Sequence, residues 1–315
     1  MRRKASFQPG ICVVGASNTD LLTKVPRLPK LGETIIGTHF HTGFGGKGAN
    51  QAVMAAKLGG KVAMVTKLGK DVFGKATYEN YREQGIDTKS IFWSQESSGV
   101  APIFVDDKGH NFIVIVPGAN WKLSPGDVRK SGKVIGEADV VLCQLEVPLE
   151  TTFEALKLAK SATTIFNPAP ARSLPEEVFG LCDVVVPNEV EAEAITGVAI
   201  RSLEDGKIAI KKLLGLGSKA AIITLGERGA LVAQGSSITK IPTIPVKAVD
   251  STGAGDAFVG TLAYFLAVTN DLQKAVQIAN VAAALSVTRL GTQLSFPSKE
   301  EIEQAYEHFF KEKLF

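Results

Sequence analysis

The fold class follows from residues 139–166, which read DVVLCQLEVPLETTFEALKLAKSATTIF. Residues 139–145 and 163–166 are short, mostly apolar runs, and residues 150–161 carry apolar side chains at helical spacing. A strand, a helix and a second strand in this order form a βαβ unit, whose strands lie parallel in one sheet. Because both runs are mostly apolar, we expect the sheet to be covered on both faces.

The same alternation continues through most of the chain on either side of this unit. We predict strands at residues 11–15, 61–67, 139–145, 163–166, 183–186 and 220–224, and helices at residues 48–58, 71–84, 150–161, 189–196 and 203–214. The last third is predicted to be helical, at residues 255–268, 272–289 and from 298 onward. This pattern predicts an α/β three-layer sandwich with a central, mostly parallel sheet.

Two stretches alternate between apolar and polar residues and break the βαβ pattern. Residues 34–42 do so, and residues 103–116 do so around a turn at residues 106–109. Alternation with a period of two is typical of strands that have one solvated face. We therefore predict a small β-sheet lid outside the main sheet, formed by about residues 16–42 and 98–116.

Composition excludes several classes of protein. The chain has 315 residues, 45% of them hydrophobic, and a formal net charge of +3. These values argue against global disorder, and no basic stripe indicates nucleic-acid binding. The longest apolar candidate for a membrane span, residues 254–268, is too short and contains Asp256. We therefore expect a protein that binds neither nucleic acids nor membranes.

The cysteines indicate a reducing compartment. Cys12, Cys143 and Cys182 are far apart in sequence and form no CxxC pair, so neither a disulfide framework nor a zinc site is indicated. Each lies in or beside an apolar run, where a buried thiol is the expected structure. We expect a cytoplasmic location, with a nuclear one left open.

The strongest functional motif is DSTGAGDAF at residues 250–258, which follows a strand-like segment at residues 244–249. Gly253 and Gly255 would let a ligand approach the backbone, and the N–H groups at a helix start attract anions. A carboxylate in this turn repels bound phosphate, but Asp256 can accept the proton of a hydroxyl that attacks phosphorus. The alternative is that Asp256 is an ordinary residue of the first helical turn.

A second glycine-rich motif, GFGGKGAN, spans residues 43–50. It contains the G-x-G-x-x-G pattern of dinucleotide-binding proteins, but it follows a lid strand, which disfavours a dehydrogenase. Lys47 and Asn50 instead offer hydrogen-bond donors to a small polar ligand. The chain contains neither a Walker A motif nor the HRD and DFG motifs of protein kinases.

Polar residues also follow predicted strands, at the edge where α/β sheets bind ligands. Asn18 and Asp20 come directly after the first strand, and Glu146 ends the strand at residues 139–145. An amide beside a carboxylate suits vicinal hydroxyls. Taken alone, Asn-x-Asp is more typical of a solvated turn.

Two further segments have a structural and a functional interpretation. Asn188 with Glu191 three residues later is a good helix cap, and it also lies where a helix begins after a strand. Residues 224–229 form a strand-to-turn loop that is either a plain turn or part of a ligand site.

Together these residues resemble the ribokinase-like, or PfkB, family of carbohydrate kinases. The match runs from about residue 11 to 296 and includes both family signatures, at residues 43–52 and 250–258. The resemblance implies a single kinase domain at residues 10–315, and we expect residues 1–9, outside the resemblance, to form a disordered basic tail. It also implies ATP as co-substrate, Mg²⁺ on the ATP phosphates, activation by K⁺, and a homodimer formed through the β lid.

The form of the first signature indicates which sugar the resemblance implies as substrate. Its lysine, with residues 18–20 upstream and 117–120 later, is similar to family members that act on ribose. The resemblance thus implies phosphorylation of D-ribose at the 5-hydroxyl to give D-ribose 5-phosphate and ADP. A sibling kinase for 2-deoxyribose is the alternative. A catalytically inactive sugar or nucleotide sensor is a third class, which the retained Asp256 argues against.

The resemblance also assigns roles to individual residues. Asp256 would be the general base, beside an anion hole formed by the backbone N–H groups of Gly253, Ala254 and Gly255. The sugar would contact Asn18, Asp20, Gly46, Lys47, Asn50, Glu146 and Asp256. The nucleotide would contact Asn188, Thr224, Leu225, Gly226, Glu227, Arg228, Gly229, Gly255 and Asn280, with Mg²⁺ held through water near Glu191. The K⁺ would lie beside Asp250, Thr252, Ser286, Arg289, Gly291 and Ser295.

Overall fold

The computed structural model describes residues 8–314. The predicted basic tail therefore lies outside the described residues, except for Gln8 and Pro9. The strands are β1 (Gly10–Val14), β2 (Asn18–Lys24), β3 (His39–Gly45), β4 (Lys61–Gly69), β5 (Ile91–Ser94), β6 (Gly99–Val105), β7 (Asn111–Ile113), β8 (Val140–Cys143), β9 (Thr163–Phe166), β10 (Val184–Val185), β11 (Ala220–Thr224), β12 (Ala230–Gln234) and β13 (Ser237–Ile241).

The helices alternate with these strands through most of the chain. They are α1 (Lys47–Lys57), α2 (Val72–Glu83), α3 (Pro125–Lys130), α4 (Gly132–Gly136), α5 (Leu149–Leu158), α6 (Glu189–Thr196), α7 (Leu203–Gly215), α8 (Ala254–Thr269), α9 (Leu272–Ser286) and α10 (Lys299–Phe310). Single 3₁₀ turns lie at Gly118–Lys122, Glu176–Leu181 and Gly226–Arg228. Among residues 8–314, every helix is too short or too polar to cross a lipid bilayer.

The main sheet has the strand order β13-β12-β11-β10-β9-β8-β1-β4-β5 within the described part of the chain. Neighbours from β11 across to β5 pair in parallel, whereas β12 and β13 form an antiparallel hairpin at one edge. Sequence reasoning missed this hairpin and β5. The predicted α/β class with a mostly parallel sheet is confirmed.

The two faces of the sheet bury separate clusters. On β1, Ile11 and Val13 pack in a cluster with α1, α8 and α9, while Cys12 and Val14 pack in a second cluster with α5 and α7. Burial of consecutive residues on opposite faces defines the three layers. All three cysteines are free and buried, as predicted.

The lid sheet has the order β3-β2-β6-β7, with β2 and β6 parallel at its centre and antiparallel neighbours on each side. The strand predicted at residues 34–42 lies later in the chain than expected, since β3 covers His39–Gly45. The reason is pairing: β2 ends at Lys24, whose partner is His39, so earlier residues have no strand beside them.

The strand-like segment predicted at residues 244–249 is wrong. These residues form no ladder; instead the N–H groups of Val249 and Asp250 both donate to the carbonyl of Val287. Pro242 and Pro245 interrupt the donor pattern that a strand needs, so the chain leaves the sheet after β13. The helix predicted at residues 272–289 ends earlier, at Ser286.

Candidate active site

Polar side chains from distant parts of the chain meet where the parallel strands end and where α1 and α8 begin. This is the edge at which open α/β sheets bind ligands. Hydrogen bonds and electrostatic interactions connect Asp20, Lys47, Asn50, Glu146, Glu191 and Asp256 there.

Asp256 lies in the first turn of α8 and is 6% exposed. Its Oδ2 accepts a hydrogen bond of 2.9 Å from Asn50 Nδ2, and its Oδ1 accepts one of 3.0 Å from Gln51 Nε2. Both donors lie on α1. Each carboxylate oxygen keeps further lone-pair capacity, which a sugar hydroxyl can use.

Lys47 carries a positive charge among several carboxylates. Burial lowers the pKa of Lys47, but the charges of Asp256, Glu146 and Glu191 outweigh burial and leave this pKa raised. Its backbone N–H donates to Glu146 Oε2 over 2.8 Å. The ammonium group therefore stays protonated and offsets the negative charge of the cluster.

Two of the surrounding carboxylates, Glu146 and Glu191, lie in buried environments that disfavour their ionised forms. Burial raises the pKa of Glu146, with the Lys47 charge lowering it in part. Burial likewise raises the pKa of Glu191, which hydrogen bonds from Asn188 lower in part. Raised values at clustered carboxylates are typical of functional sites.

Asn18 and Asp20 lie on strand β2 of the lid sheet. Asn18 is 3% exposed, and its Oδ1 accepts a hydrogen bond of 2.8 Å from Asn120 Nδ2. Asp20 Oδ2 accepts one of 3.3 Å from the hydroxyl of Thr292. The alternative of a solvated turn is therefore wrong.

Gly46 makes the close approach between α1 and the lid strand β2 possible. Its φ is +88°, and a Cβ at this position would lie 2.7 Å from the backbone nitrogen of Asn18. Only glycine tolerates both conditions. The first signature therefore brings the start of α1 against the residues predicted to hold the sugar.

The N-terminus of α8, with its capping residue Gly253, contains the residues predicted to form the anion hole. Gly253 caps the helix with φ +79°, and the N–H of Ala254 donates weakly to the carbonyl of Ser251 over 3.3 Å. A Cβ on Gly255 would meet nothing within 4 Å, so open space lies beside the start of α8. An anion can approach a helix N-terminus from such a side.

On the nucleotide side, Asn188 caps α6 and forms a capping box with Glu191, so the structural interpretation of this pair holds. Glu191 Oε2 and Oε1 accept from the Asn188 backbone and side chain over 2.8 and 3.0 Å. Thr224 ends β11, and the remaining predicted loop residues follow it: Leu225, Gly226, Glu227, Arg228 and Gly229.

Asn280 and Arg228 are both held by contacts within the protein. The amide of Asn280 donates to the carbonyls of Ile241 and Pro242, over 3.1 and 3.2 Å. Arg228 forms an ion pair with Glu189 at the start of α6. Their hydrogen bonds and ion pair within residues 8–314 are thus made with groups other than Asp256.

The residues predicted to surround K⁺ come from two neighbouring segments. Asp250 Oδ1 accepts from the backbone and hydroxyl of Thr252, and its Oδ2 accepts from the N–H of Gly291 over 3.0 Å. Ser286 and Ser295 are buried and donate to nearby carbonyls. The side chain of Arg289 instead pairs with Glu301.

Comparison with known proteins agrees with this geometry. Residues 8–299 match the pfkB family of carbohydrate kinases. The chain belongs to that family. As a pfkB carbohydrate kinase it is an enzyme that transfers a phosphoryl group to a sugar, which confirms the resemblance and the enzyme class.

Relatives and solved structures match over nearly full length. Mouse ribokinase (Mus musculus) is 43% identical over 303 residues, with 94% of each chain covered, and the deoxyribokinase of Salmonella typhi is 41% identical, with 93% and 97% covered. The crystal structure of Thermotoga maritima ribokinase has a TM-score of 0.88 at 40% identity, covering 95% and 99%. That of Arabidopsis thaliana ribokinase, complexed with ribose and ATP, has 0.88 at 30%, covering 96% and 99%.

Sequence reasoning missed several amides around Asp256 of this pfkB kinase. Gln51, Gln144, Asn167 and Gln293 are buried and hydrogen-bonded within the site. A signal existed for Gln144 and Asn167, because each directly follows a main-sheet strand, as the predicted ligand residues do. The hydroxyl of Thr292 gave no comparable signal.

Proposed function

We propose that the chain is an ATP-dependent D-ribose 5-kinase with Asp256 as general base. The observation that carries the proposal is the buried Asp256 carboxylate, which lies in the first turn of α8 beside Gly255 and the capping residue Gly253. The identity to mouse ribokinase and the similarity to the Arabidopsis structure with ribose and ATP support the choice of sugar.

In the proposed reaction the 5-hydroxyl oxygen attacks the γ-phosphorus of ATP in line. The bond from that phosphorus to the bridging oxygen breaks, and ADP leaves with its electron pair. The proton of the hydroxyl passes to Asp256, while the N–H groups of residues 253–255 stabilise the transferring phosphoryl group. Positioning and charge stabilisation supply most of the rate in such transfers.

The sugar is held by groups that complement hydroxyls. Carboxylates at Asp20 and Glu146 accept hydrogen bonds, and Lys47 and Asn50 donate them. Asn18 lies on the same lid strand as Asp20, and Gly46 brings the start of α1 against it. This division of acceptors and donors supports a polyhydroxylated substrate.

The nucleotide is proposed to lie over the 224–229 loop and Asn188, with Mg²⁺ near Glu191. The carboxylate of Glu191 is anchored by Asn188 yet keeps free lone pairs, which suits contact through water. Mg²⁺ prefers oxygen ligands and retains several waters, and it would neutralise charge on the ATP phosphates.

We also propose a K⁺ site beside the anion-hole turn. Hydrogen bonds already bring Asp250 against Thr252 and Gly291, and one carboxylate with carbonyl and hydroxyl oxygens suits a hard monovalent cation. The remaining proposed contacts are backbone or hydroxyl oxygens of Ser286, Arg289 and Ser295. Order in this turn would hold the N–H groups of residues 253–255 in place.

A kinase for 2-deoxyribose is the second candidate, because the Salmonella typhi deoxyribokinase is almost as similar as the mouse ribokinase. Both functions share the phosphate side of the site. The two differ in whether the 2-hydroxyl has a partner, and Asp20 with its neighbours is where we expect that partner.

An ADP-release assay with ATP, Mg²⁺ and K⁺ tests the substrate. We expect the highest kcat/KM with D-ribose, a lower value with 2-deoxyribose, and background rates with fructose and adenosine. Preference for 2-deoxyribose would transfer the proposal to the second candidate. Background rates with every acceptor would contradict kinase activity on these sugars.

A further inference from the structure

Two chains of side-chain amides end on the Asp256 carboxylate, one on each oxygen. In the first, Asn50 donates to Oδ2, Gln293 Nε2 donates to Asn50 Oδ1 over 3.1 Å, and Asn80 Nδ2 donates to Gln293 Oε1 over 3.1 Å. In the second, Gln51 donates to Oδ1 and is itself held by Gln144 and Asn167. All of these amides are buried.

In the second chain of amides, groups that can only accept a hydrogen bond determine which atom of each amide donates. The carbonyl of Val186 can only accept, so Asn167 presents its Nδ2 to it over 2.8 Å and turns its Oδ1 toward Gln51. Gln51 Nε2 then donates to Asn167 Oδ1 over 3.2 Å and to Asp256 Oδ1 over 3.0 Å. Rotating the Gln51 amide by half a turn would bring oxygen against oxygen at both contacts.

Gln144 also favours this orientation of the Gln51 amide, although its own side-chain oxygen is left without a hydrogen bond in the part of the chain that the structure describes. Its Nε2 donates to Gln51 Oε1 over 2.6 Å, while its own Oε1 is buried and finds no hydrogen-bond partner among residues 8–314. The opposite orientation of Gln144 would face Gln51 Oε1 with a second acceptor. An unsatisfied buried acceptor beside a catalytic group is typical of a site where function takes precedence over stability.

We propose that Gln51 is a positioning residue for phosphoryl transfer, whose amide holds the Asp256 carboxylate in the orientation that receives the proton of the sugar hydroxyl. This inference rests on the proposed role of Asp256 as base. Gln51 lies one residue after Asn50 on α1 and makes its contacts with protein groups, so it acts through Asp256. A small displacement of a reacting group costs about 100-fold in rate.

The charged groups that face Asp256 come from four other places in the fold. They are Asp20 on β2, Lys47 at the start of α1, Glu146 after β8 and Glu191 in α6. A carboxylate introduced at residue 51 would replace the donor nearest to Oδ1 and would share a proton with Asp256. Two adjacent carboxyls raise the pH at which the pair loses that proton.

Steady-state kinetics of Gln51→Met and Gln51→Glu with D-ribose and ATP test the proposal. We expect Gln51→Met to lower kcat about 10- to 100-fold while KM for D-ribose changes less than about threefold. We expect the acid limb of the kcat profile in Gln51→Glu to move to higher pH by about one unit or more. Gln277→Met and Gln277→Glu are matched controls, because Gln277 accepts a hydrogen bond from Tyr306 between α9 and α10.

Gln144→Met covers the case in which Gln51→Met does not fold, because it keeps Gln51 and removes one of the three hydrogen bonds that hold its amide. A smaller loss of kcat at unchanged KM supports the proposal. Wild-type kcat in Gln51→Met or Gln144→Met, or an unshifted acid limb in Gln51→Glu, overturns the role of Gln51 alone. Wild-type turnover in Asp256→Asn overturns the proposed function, and the role of Gln51 with it.

Discussion

Asp20 lies in a buried environment that disfavours its ionised form. Burial raises its pKa, the hydroxyl of Thr292 lowers it, and the charges of Glu146 and Asp256 raise it, which leaves a value of about 6. The ionised form is the stronger hydrogen-bond acceptor, and both of its oxygens can accept from sugar hydroxyls. With Asp20 holding the sugar as proposed, sugar binding would be linked to the loss of a proton near neutral pH.

We predict that the affinity for D-ribose falls by about tenfold when the pH is lowered from 7 to 5, because Asp20 becomes protonated. Isothermal titration calorimetry without nucleotide measures it. Asp20→Asn should bind more weakly and lose most of this pH dependence. Equal wild-type affinity at both pH values would contradict the role given to Asp20.

The role of some single residues could be predicted from the sequence, whereas the contacts of others could not. Asp256 stands out because a carboxylate in a glycine-rich helix start is chemically unusual. Its donors Asn50 and Gln51 lie about 200 residues earlier, and no local pattern indicates that pairing. Thr292 next to Asp20 is a contact of the same kind, which only the folded chain establishes.

Among the elements, the turn that leads into α8 depends on Gly253. A Cβ there would lie 2.5 Å from the methyl carbon of Thr292, in a residue with φ +79°. We predict that Gly253→Ala lowers kcat by more than about tenfold while D-ribose still binds, because the N–H groups of the turn are displaced.

The control for this variant is Gly235→Ala. Gly235 also has positive φ, but a Cβ there would meet nothing within 4 Å, and it lies in the β12–β13 hairpin. Both variants carry a backbone penalty of about 1–2 kcal/mol. Activity should fall in Gly253→Ala alone; equal kcat in both, measured by ADP release, would show that the turn does not carry the anion hole.

The same turn is the element through which a monovalent cation would act. We predict that replacing K⁺ by Na⁺ lowers kcat several-fold, because the larger ion suits carbonyl and carboxylate oxygens that Asp250 and Gly291 help to place. Asp250→Ala should remove the difference between the ions. Identical wild-type rates in K⁺ and Na⁺ would contradict the site.

Element boundaries were predictable where the signal is local. The helix predicted from residue 298 onward is present as α10 and begins with a capping box, in which Ser298 Oγ accepts from the Glu301 N–H over 3.2 Å. Residues 244–249 show the opposite case. Their composition resembles a strand, but within residues 8–314 they join no sheet, and Pro245 cannot donate. Pairing partners are a long-range property that a local pattern does not contain.

For the whole molecule, the lid sheet presents an uncovered apolar row. Phe40, Thr23, Phe104 and Phe112 are consecutive register partners across β3, β2, β6 and β7, so they share one face. The three phenylalanines are 66%, 37% and 45% exposed. An exposed aromatic row of this kind on an open sheet is typical of a surface that packs against a partner.

We predict that the chain forms a homodimer in which the lid faces of two copies pack together. Sedimentation should give twice the 33.4 kDa chain mass, and Phe104→Lys should give a monomer. Phe309→Lys on α10, an exposed phenylalanine outside the lid, is the control and should remain dimeric. A wild-type monomer, or a dimer unaffected by Phe104→Lys, would contradict a lid interface.

The overall architecture was the most predictable level, because alternation of apolar strands and amphipathic helices is repeated many times along the chain. The lid was predicted as a separate sheet, yet its central pairing of β2 with β6 was not, since it joins residues about 80 positions apart. The β12–β13 hairpin was missed, because no strand or helix was predicted between residues 224 and 244.

The most direct test of the account is the turnover of Asp256→Asn with D-ribose and ATP, measured beside its affinity for D-ribose. We predict that kcat falls by about two to four orders of magnitude while the dissociation constant of D-ribose changes only a few-fold. Asp183→Asn, which removes an ion pair with Lys219 just before β10 and β11, should keep wild-type kcat. Near-normal turnover in Asp256→Asn would contradict its role as the base.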